Sequence, residues 1–437
     1  MFHVSGSFFL GLLKLNLNKE KKMFRRIIVK FGGTSLADGP SISRAADSVI
    51  KKIRQGVQVV AVVSAMGKST DTLIEAAHLA CDGSISNVDL DDVVAMGERT
   101  SARIFSAALK ARGAQSRYLD PADHDWPIIT DDAFENAKPI LPVCEKMAKI
   151  HVQPLLEKGV TVVVPGFIGK TEDGKITTIG RGGSDITALV LAQALTADQI
   201  ILVTDVQGIM TADPKIIKNP QKLDEISIDA LIGLADSGTK FIHKKALKYK
   251  TPETDIKVVS NVFGDLDSEG TIIRGSFPKN MLVEPHSDSA TAVTIVGKGL
   301  SESPQTLFEI FNEIKKVNAE LLGMSVNHNS LILYLPSKAA EGILEALHSI
   351  VVRDEKALAM AVRKDLAYIR VKGVGLEETP GVISNITKAL NTEGINIYGV
   401  FTITSSVVIF VDMKDKEKTI NLMERILKNN NSSPTRA

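Results

Sequence analysis

The chain has 437 residues, is 44% hydrophobic and 24% charged, and carries a formal net charge of +1. This is the make-up of a globular protein of more than one domain. Near-neutral charge gives no basis for nucleic-acid or acidic-membrane binding, and no apolar run approaches the ~20 residues that span a bilayer. Cys81 and Cys144 are too few for a disulfide framework and lack metal-ligand spacing, so a reducing, cytoplasmic setting is expected.

The first 22 residues hold an apolar stretch, Phe8 to Leu13, with its charges after it rather than before it. That is the reverse of a signal peptide. Met23 is the expected start, with residues 1–22 a disordered or mis-assigned extension; a weak targeting role is the second reading.

A β-branched strand, Ile27 to Phe31, then runs into Gly32-Gly-Thr-Ser35, followed by a helix-like pattern from Ile42 to Ile53. The segment is not a Walker A loop, but it offers close backbone approach at Gly32 and Gly33 and the point charge of Lys30. A second strand, Val57 to Val63, ends in Ser64-Ala-Met-Gly-Lys-Ser-Thr70. Thr70 suits the cap of a helix beginning at Asp71. In Val93-Val-Ala-Met-Gly-Glu-Arg99, Glu98 is either a site carboxylate or a surface charge paired with Arg99 or Arg103.

The densest chemistry lies at Thr178-Ile-Gly-Arg-Gly-Gly-Ser-Asp185, between the apolar run Val160 to Ile168 and a helical run, Leu189 to Leu195. Strand, glycine turn and helix N-terminus present backbone N–H groups to an anion. Arg181 adds a planar cation that grips a carboxylate or phosphate at two points. Asp185 is either a functional carboxylate or a helix cap. A further strand, Gln199 to Val203, ends in Thr204-Asp205, and Asp213-Pro214 reads as a turn. Four strand ends rich in Gly, Ser, Thr and Asp predict a parallel α/β sheet with its site at the C-terminal edge.

These motifs resemble the amino acid kinase fold and, within it, aspartate kinase. The matching segments are Lys30-Phe-Gly-Gly-Thr-Ser35, Val63-Ser-Ala-Met-Gly67, Met96-Gly-Glu98, Gly166-Phe-Ile-Gly169, Gly180-Arg-Gly-Gly-Ser-Asp185 and Thr204-Asp-Val-Gln-Gly-Ile-Met-Thr-Ala-Asp-Pro214. The resemblance implies an α/β three-layer sandwich with a mostly parallel sheet. It implies transfer of the ATP γ-phosphoryl group to the side-chain carboxylate of L-aspartate, the first step toward lysine, threonine and methionine. By the same resemblance Lys30 and Asp185 are catalytic. Ser64, Thr70, Glu98, Arg181, Gly182 and Ser184 hold aspartate. Lys30, Gly32, Gly33, Thr34, Ser35, Thr204, Asp205, Met210, Lys215 and Lys240 border ATP. Mg²⁺ is expected with the nucleotide rather than on protein side chains. Three features depart from the family pattern: Met210 replaces a tyrosine, Lys215 an arginine, and Lys244-Lys245 a Pro-Arg pair. Weaker adenine contacts are expected.

The kinase pattern fades near Thr271 to Gly275, and the polar stretch from Pro278 to Ser289 reads as a linker. Two modules follow with a shared order of strand, Gly-containing loop, helix, two strands and helix, an internal repeat. The first has strands near 292–296, 320–326, 330–335 and 358–362 and helices at 305–317 and 339–350. The second has strands at 366–371, 395–403 and 407–411 and helices at 382–390 and 415–427, with no clear closing strand. They resemble tandem ferredoxin-like ACT domains. That implies an inhibitory amino acid, lysine or threonine, near Leu376, Pro380, Gly381, Val382, Ile395 and Asn396, and a homodimer or homotetramer built through the modules. The expected division is 1–22 extension, 23–277 catalytic domain, 278–290 linker, 291–364 first ACT module, 365–430 second, and 431–437 disordered tail. The rival readings are a kinase of the same fold with another carboxylate acceptor, and a catalytically inactive amino-acid sensor.

Overall fold

In the computed structural model the described residues are 26–213, 215–235, 242–276, 278, 281–373, 376, 381–403 and 405–432. The expected extension 1–22, Lys240, Pro380 and residues 433–437 lie outside them. The chain forms two compact units: residues before 277 make the first, except for a short stretch from Ile232 that groups with the second.

The first unit opens with β1 (Arg26–Phe31), a 3₁₀ turn (Gly33–Leu36) and α1 (Gly39–Arg54), then β2 (Gln58–Val63), α2 (Ser69–Ala80) and α3 (Asn87–Lys110). Next come β3 (Ser116–Tyr118), α4 (Leu141–Met147), α5 (Gln153–Glu157), β4 (Thr161–Pro165), a hairpin of β5 (Ile168–Lys170) and β6 (Ile176–Thr178), and α6 (Gly183–Ala194). It closes with β7 (Gln199–Thr204), β8 (Glu225–Ser227), α7 (Ile228–Ala235), α8 (Lys244–Leu247), β9 (Asp255–Ser260) and β10 (Thr271–Arg274). Helix α1 starts three residues before its apolar pattern, because Asp38 caps it by accepting from the Ser41 amide at 2.8 Å.

The eight strands order as β3-β4-β2-β1-β7-β9-β10-β8. All of these pairs are parallel except β9 with β10. Burial on both faces explains the near-continuous apolar strands. Strand alternation sends Ile27, Val29 and Phe31 into one core with α1 and α3, and sends Ile28 and Lys30 to the opposite face, where α6 lies. Helix α6 is buried almost all round, which is why its sequence shows little amphipathic pattern.

The second unit contains β11 (Leu282–Pro285), β12 (Ala290–Gly297), α9 (Pro304–Lys316), β13 (Gly323–Asn327), β14 (Ser330–Pro336), α10 (Ser337–Glu341) and α11 (Leu344–Arg353). They are followed by β15 (Ala357–Lys372), α12 (Val382–Thr392), β16 (Ile397–Ile403), β17 (Ser406–Asp412) and α13 (Lys416–Ser432). The expected helix 339–350 is two helices, broken around Gly342-Ile343, and α13 runs to Ser432, past the start expected for a disordered tail.

Two expected strands, 358–362 and 366–371, are one 16-residue strand, β15. Its first part pairs with β12 and its last part with β17, so both modules share one sheet. The segment expected as linker carries β11, which pairs antiparallel with β15, Val283 opposite Val371. Met281 and Val283 pack on the second module's core. The strand missing from the end of the second module is thus supplied from before the first, and the first module is inserted within the second.

Candidate active site

The site grows from three strand ends that converge. After β1 the Gly32 amide donates to the carbonyl of Val203 on β7 at 3.2 Å, and the Gly67 amide donates to the carbonyl of Gly33 at 3.2 Å. A Cβ on Gly33 would sit 3.0 Å from the Ala65 carbonyl, so only glycine lets these turns close. At the end of β1, Lys30 reaches across to α6, its Nζ 2.8 Å from Asp185 Oδ1. Asp185 is buried, and the Lys30 ammonium is the one group that its Oδ1 contacts among the described residues. Asp185 is not the helix cap. That position belongs to Gly182, at φ 78°, and Asp185 sits in the first turn.

Helix α6 aims its first N–H groups, which have no intrahelical acceptor, at this same edge. Ser64 after β2 donates its hydroxyl to Ser184 Oγ at 3.0 Å, tying the second strand end to α6. Gly166 permits that approach, since a Cβ there would meet Ser184 at 2.7 Å. Gly182 is required twice over, by its left-handed backbone and because a Cβ would stand 2.4 Å from that of His243. The strand leading into the turn is β6, the second arm of a hairpin, not the 160–168 run itself. Arg181 at its tip is exposed.

Opposite these groups stands Glu98 on α3. Gly97 brings the helix close to the end of β2, where a Cβ would be 2.9 Å from that of Ala65. Glu98 is 4% exposed; its Oε1 accepts from the Ala65 amide at 3.2 Å and its Oε2 is buried without a partner among the described residues. Burial raises its pKa from the ordinary 4.5 to about 7. It does not pair with Arg99 or Arg103; both bind Asp120. A buried carboxylate with a vacant oxygen is a seat for a cation.

The remaining candidates divide. Thr70 is half-buried inside the first turn of α2, which begins at Ser69 with no side-chain cap, so it does not cap a helix from Asp71. Thr34 is exposed at the glycine turn. Ser35 is buried and donates to the Val203 carbonyl at 3.3 Å while accepting from Asn261, which turns its hydroxyl into the fold. Thr204 donates to Asp205 at 3.1 Å at the end of β7. Met210 forms a bridge with Lys222, and Lys215 lies exposed in the turn held by Asp213. In the second unit Leu376, Val382 and Ile395 are core members, Gly381 is the left-handed cap of α12, and Asn396 is exposed. Two residues around the Arg181 turn escaped sequence reading: Asp91 and Asn136. A seven-residue spacing between Asp91 and Glu98 on one helix face was the available signal.

The description "Amino acid kinase family" fits residues 25–259 and "ACT domain" fits residues 361–425. Aspartokinase 2 of Bacillus subtilis is 33% identical over 90% of this chain and 95% of its own length. The aspartokinase of Mycobacterium tuberculosis is 31% identical over 90% of this chain and 93% of its own length. The crystal structure of aspartate kinase from Synechocystis superposes with a TM-score of 0.76 at 26% identity, over 94% of this chain and 71% of that one.

Proposed function

Because this chain belongs to the aspartokinase family, we propose that the converging strand ends bind ATP and aspartate in the roles set out below. The protein is an aspartate kinase: it transfers the ATP γ-phosphoryl group to the side-chain carboxylate of aspartate, under allosteric control through ACT domains.

The acceptor carboxylate is already ionised at neutral pH, so the reaction needs no general base to activate it. An oxygen of that carboxylate attacks the γ-phosphorus as the β–γ bridging bond breaks, and ADP leaves. What the protein contributes is position and positive charge. Lys30 moves its ammonium from Asp185 onto the γ-phosphate oxygens, and the glycine turn at Gly32-Gly33 lets the phosphates approach the backbone. Asp185 holds Lys30 at the mouth of the site until the nucleotide arrives, and then orders the groups around the transferred phosphate. Arg181 takes the α-carboxylate of aspartate and Glu98 its ammonium group. Ser64 and Ser184 line the pocket between them. Thr204, Asp205, Met210 and Lys215 border the nucleotide, without an aromatic ring from position 210.

Magnesium would enter bound to the nucleotide, since it takes its ligands mainly from phosphates and water. Asp185 Oδ1, which has no partner but Lys30 among the described residues, would suit a water of that ion once Lys30 turns to the phosphates. When bound, the ion neutralises charge on the phosphate oxygens. The second unit would bind an inhibitory amino acid, lysine or threonine, through the main chain near Gly381 and Asn396, since the side chains of Leu376, Val382 and Ile395 serve the core. Two or four copies joined through these modules, in the cytoplasm, complete the reading.

The observation that carries these roles is the Lys30–Asp185 contact at the mouth of α6, together with the buried Glu98, whose Oε2 has no partner among the described residues. The test is ADP release from Mg-ATP with aspartate, with lysine and threonine added singly, for the wild type and Lys30→Ala. Turnover that falls ~100–1,000-fold in the variant, which keeps its circular dichroism, is expected. Near-wild-type turnover in the variant would refute the site.

A further inference from the structure

Asp91 lies on α3, seven residues before Glu98. Seven residues are about two turns, or ~10.5 Å, so both acids occupy one face of one rigid helix. Asp91 is 1% exposed. Its Oδ2 accepts from the Thr178 amide at 2.7 Å and the Glu135 amide at 2.9 Å, and its Oδ1 accepts from the Thr178 hydroxyl at 2.6 Å. No cation pairs with it among the described residues; three donors satisfy it.

Those donors frame the Arg181 turn. Thr178 ends β6, two residues before Gly180, and its carbonyl accepts from Ala137 at 2.9 Å. Glu135 belongs to the loop that walls the turn: a Cβ on Gly180 would meet the Glu135 carbonyl at 2.8 Å and Asn136 Oδ1 at 2.6 Å. Asp91 therefore fixes both sides of the slot from which the Arg181 turn emerges, while Glu98 on the same helix reaches the opposite side of the site.

We propose that Asp91 is a positioning residue for the acceptor substrate: through α3 it sets the distance between the carboxylate-binding Arg181 turn and the ammonium-binding Glu98. It touches no substrate. Its effect falls on aspartate and spares ATP, because the glycine turn after β1 and the end of β7 do not hang from it. The inference rests on the assignment of Arg181 to the substrate carboxylate.

The test compares Asp91→Ala, Asp91→Asn and Arg181→Ala by steady-state kinetics and thermal melting. D91A is expected to raise KM for aspartate ~10-fold or more, with KM for ATP within about twofold, since small misplacements of orienting groups have effects of this order. D91N is expected to restore aspartate KM: its amide oxygen can accept both backbone N–H groups while its NH₂ donates to the Thr178 hydroxyl. If D91A raises both KM values alike, or leaves aspartate KM unchanged, the proposal fails. If D91N is as impaired as D91A, the charge rather than the hydrogen-bond frame is what matters, and the proposal also fails. Should D91A fail to fold, Thr178→Val, which removes only the 2.6 Å hydroxyl contact, must show the same selective rise, and an unchanged aspartate KM there overturns the idea. An R181A variant with normal aspartate KM would instead refute the assignment of Arg181 itself.

Discussion

Replacing Glu98 by glutamine should stabilise the free protein and weaken its hold on aspartate. The two effects have one cause. In the free protein the Glu98 carboxyl is buried, with one oxygen unpartnered, and its pKa is lifted from 4.5 to about 7. At 1.36 kcal/mol per pH unit, the ionised form is disfavoured by about 3 kcal/mol relative to water. Because the folded value lies above the unfolded one, the folded state holds the proton more tightly between pH 4.5 and 7. The associated stability is fully present below pH 4.5 and is lost as pH rises through 7. Glutamine removes that loss, so at pH 8 the Glu98→Gln variant should be more stable than the wild type by up to about 3 kcal/mol. Against the aspartate ammonium, glutamine offers a neutral oxygen in place of a charged one. A hydrogen bond to a charged group contributes about 1.5–3 kcal/mol, so KM for aspartate should rise ~10–150-fold at pH 8.

The pH profile separates this account from simple damage. In the wild type, kcat/KM for aspartate should fall about tenfold from the plateau by one pH unit below 7, as Glu98 protonates in the free enzyme. In the glutamine variant that limb should vanish between pH 6 and 8. Steady-state kinetics across this range, with chemical denaturation at pH 8, decide the matter. A variant with wild-type aspartate KM, or one less stable than the wild type at pH 8, would refute the reasoning.

Two further variants probe the frame of the fold. Gly182→Ala forces a Cβ into the left-handed backbone at φ 78° and within 2.4 Å of the His243 side chain. It should lose at least ~1–2 kcal/mol of stability and most of its turnover; normal melting and kcat would show that the turn is not held as described. Val283→Asp puts a charge on a half-buried strand position against the second module's core. It should destabilise that module by ~1–3 kcal/mol and speed amide exchange in 366–372, whereas a true linker would show no change.

Residue types and local spacing were enough to predict the parallel α/β sheet and the edge that carries its site; the kinase fold itself came from the family resemblance. Gly32-Gly33, Gly97 and Gly182 are readable because glycine is demanded where backbones touch or φ turns positive, and the strands around them are continuous apolar runs because both faces of a parallel sheet are buried. Lys30, Asp185 and Arg181 were legible as site candidates because charged residues beside such turns need a reason to be there, whereas Glu98, inside a helix, was a candidate through the family resemblance. Their alternatives were not separable in sequence: whether Asp185 caps a helix or meets Lys30, and whether Glu98 pairs with Arg103 or stands alone, depends on contacts more than 80 residues apart or on which way a helix faces.

Other features came from tertiary structure alone. Strand β11 is four residues with two apolar side chains, too short for periodicity to register; only its pairing with β15, some 85 residues on, makes it a strand. Asp91 looks like any acid on a helix until Thr178 and Glu135 are brought to it. Sequence sets what each segment prefers, because turns, caps and apolar periods act between near neighbours. Which strand end meets which, and therefore which carboxylate is satisfied and which is left open for a substrate, is decided by long-range packing that no local pattern encodes.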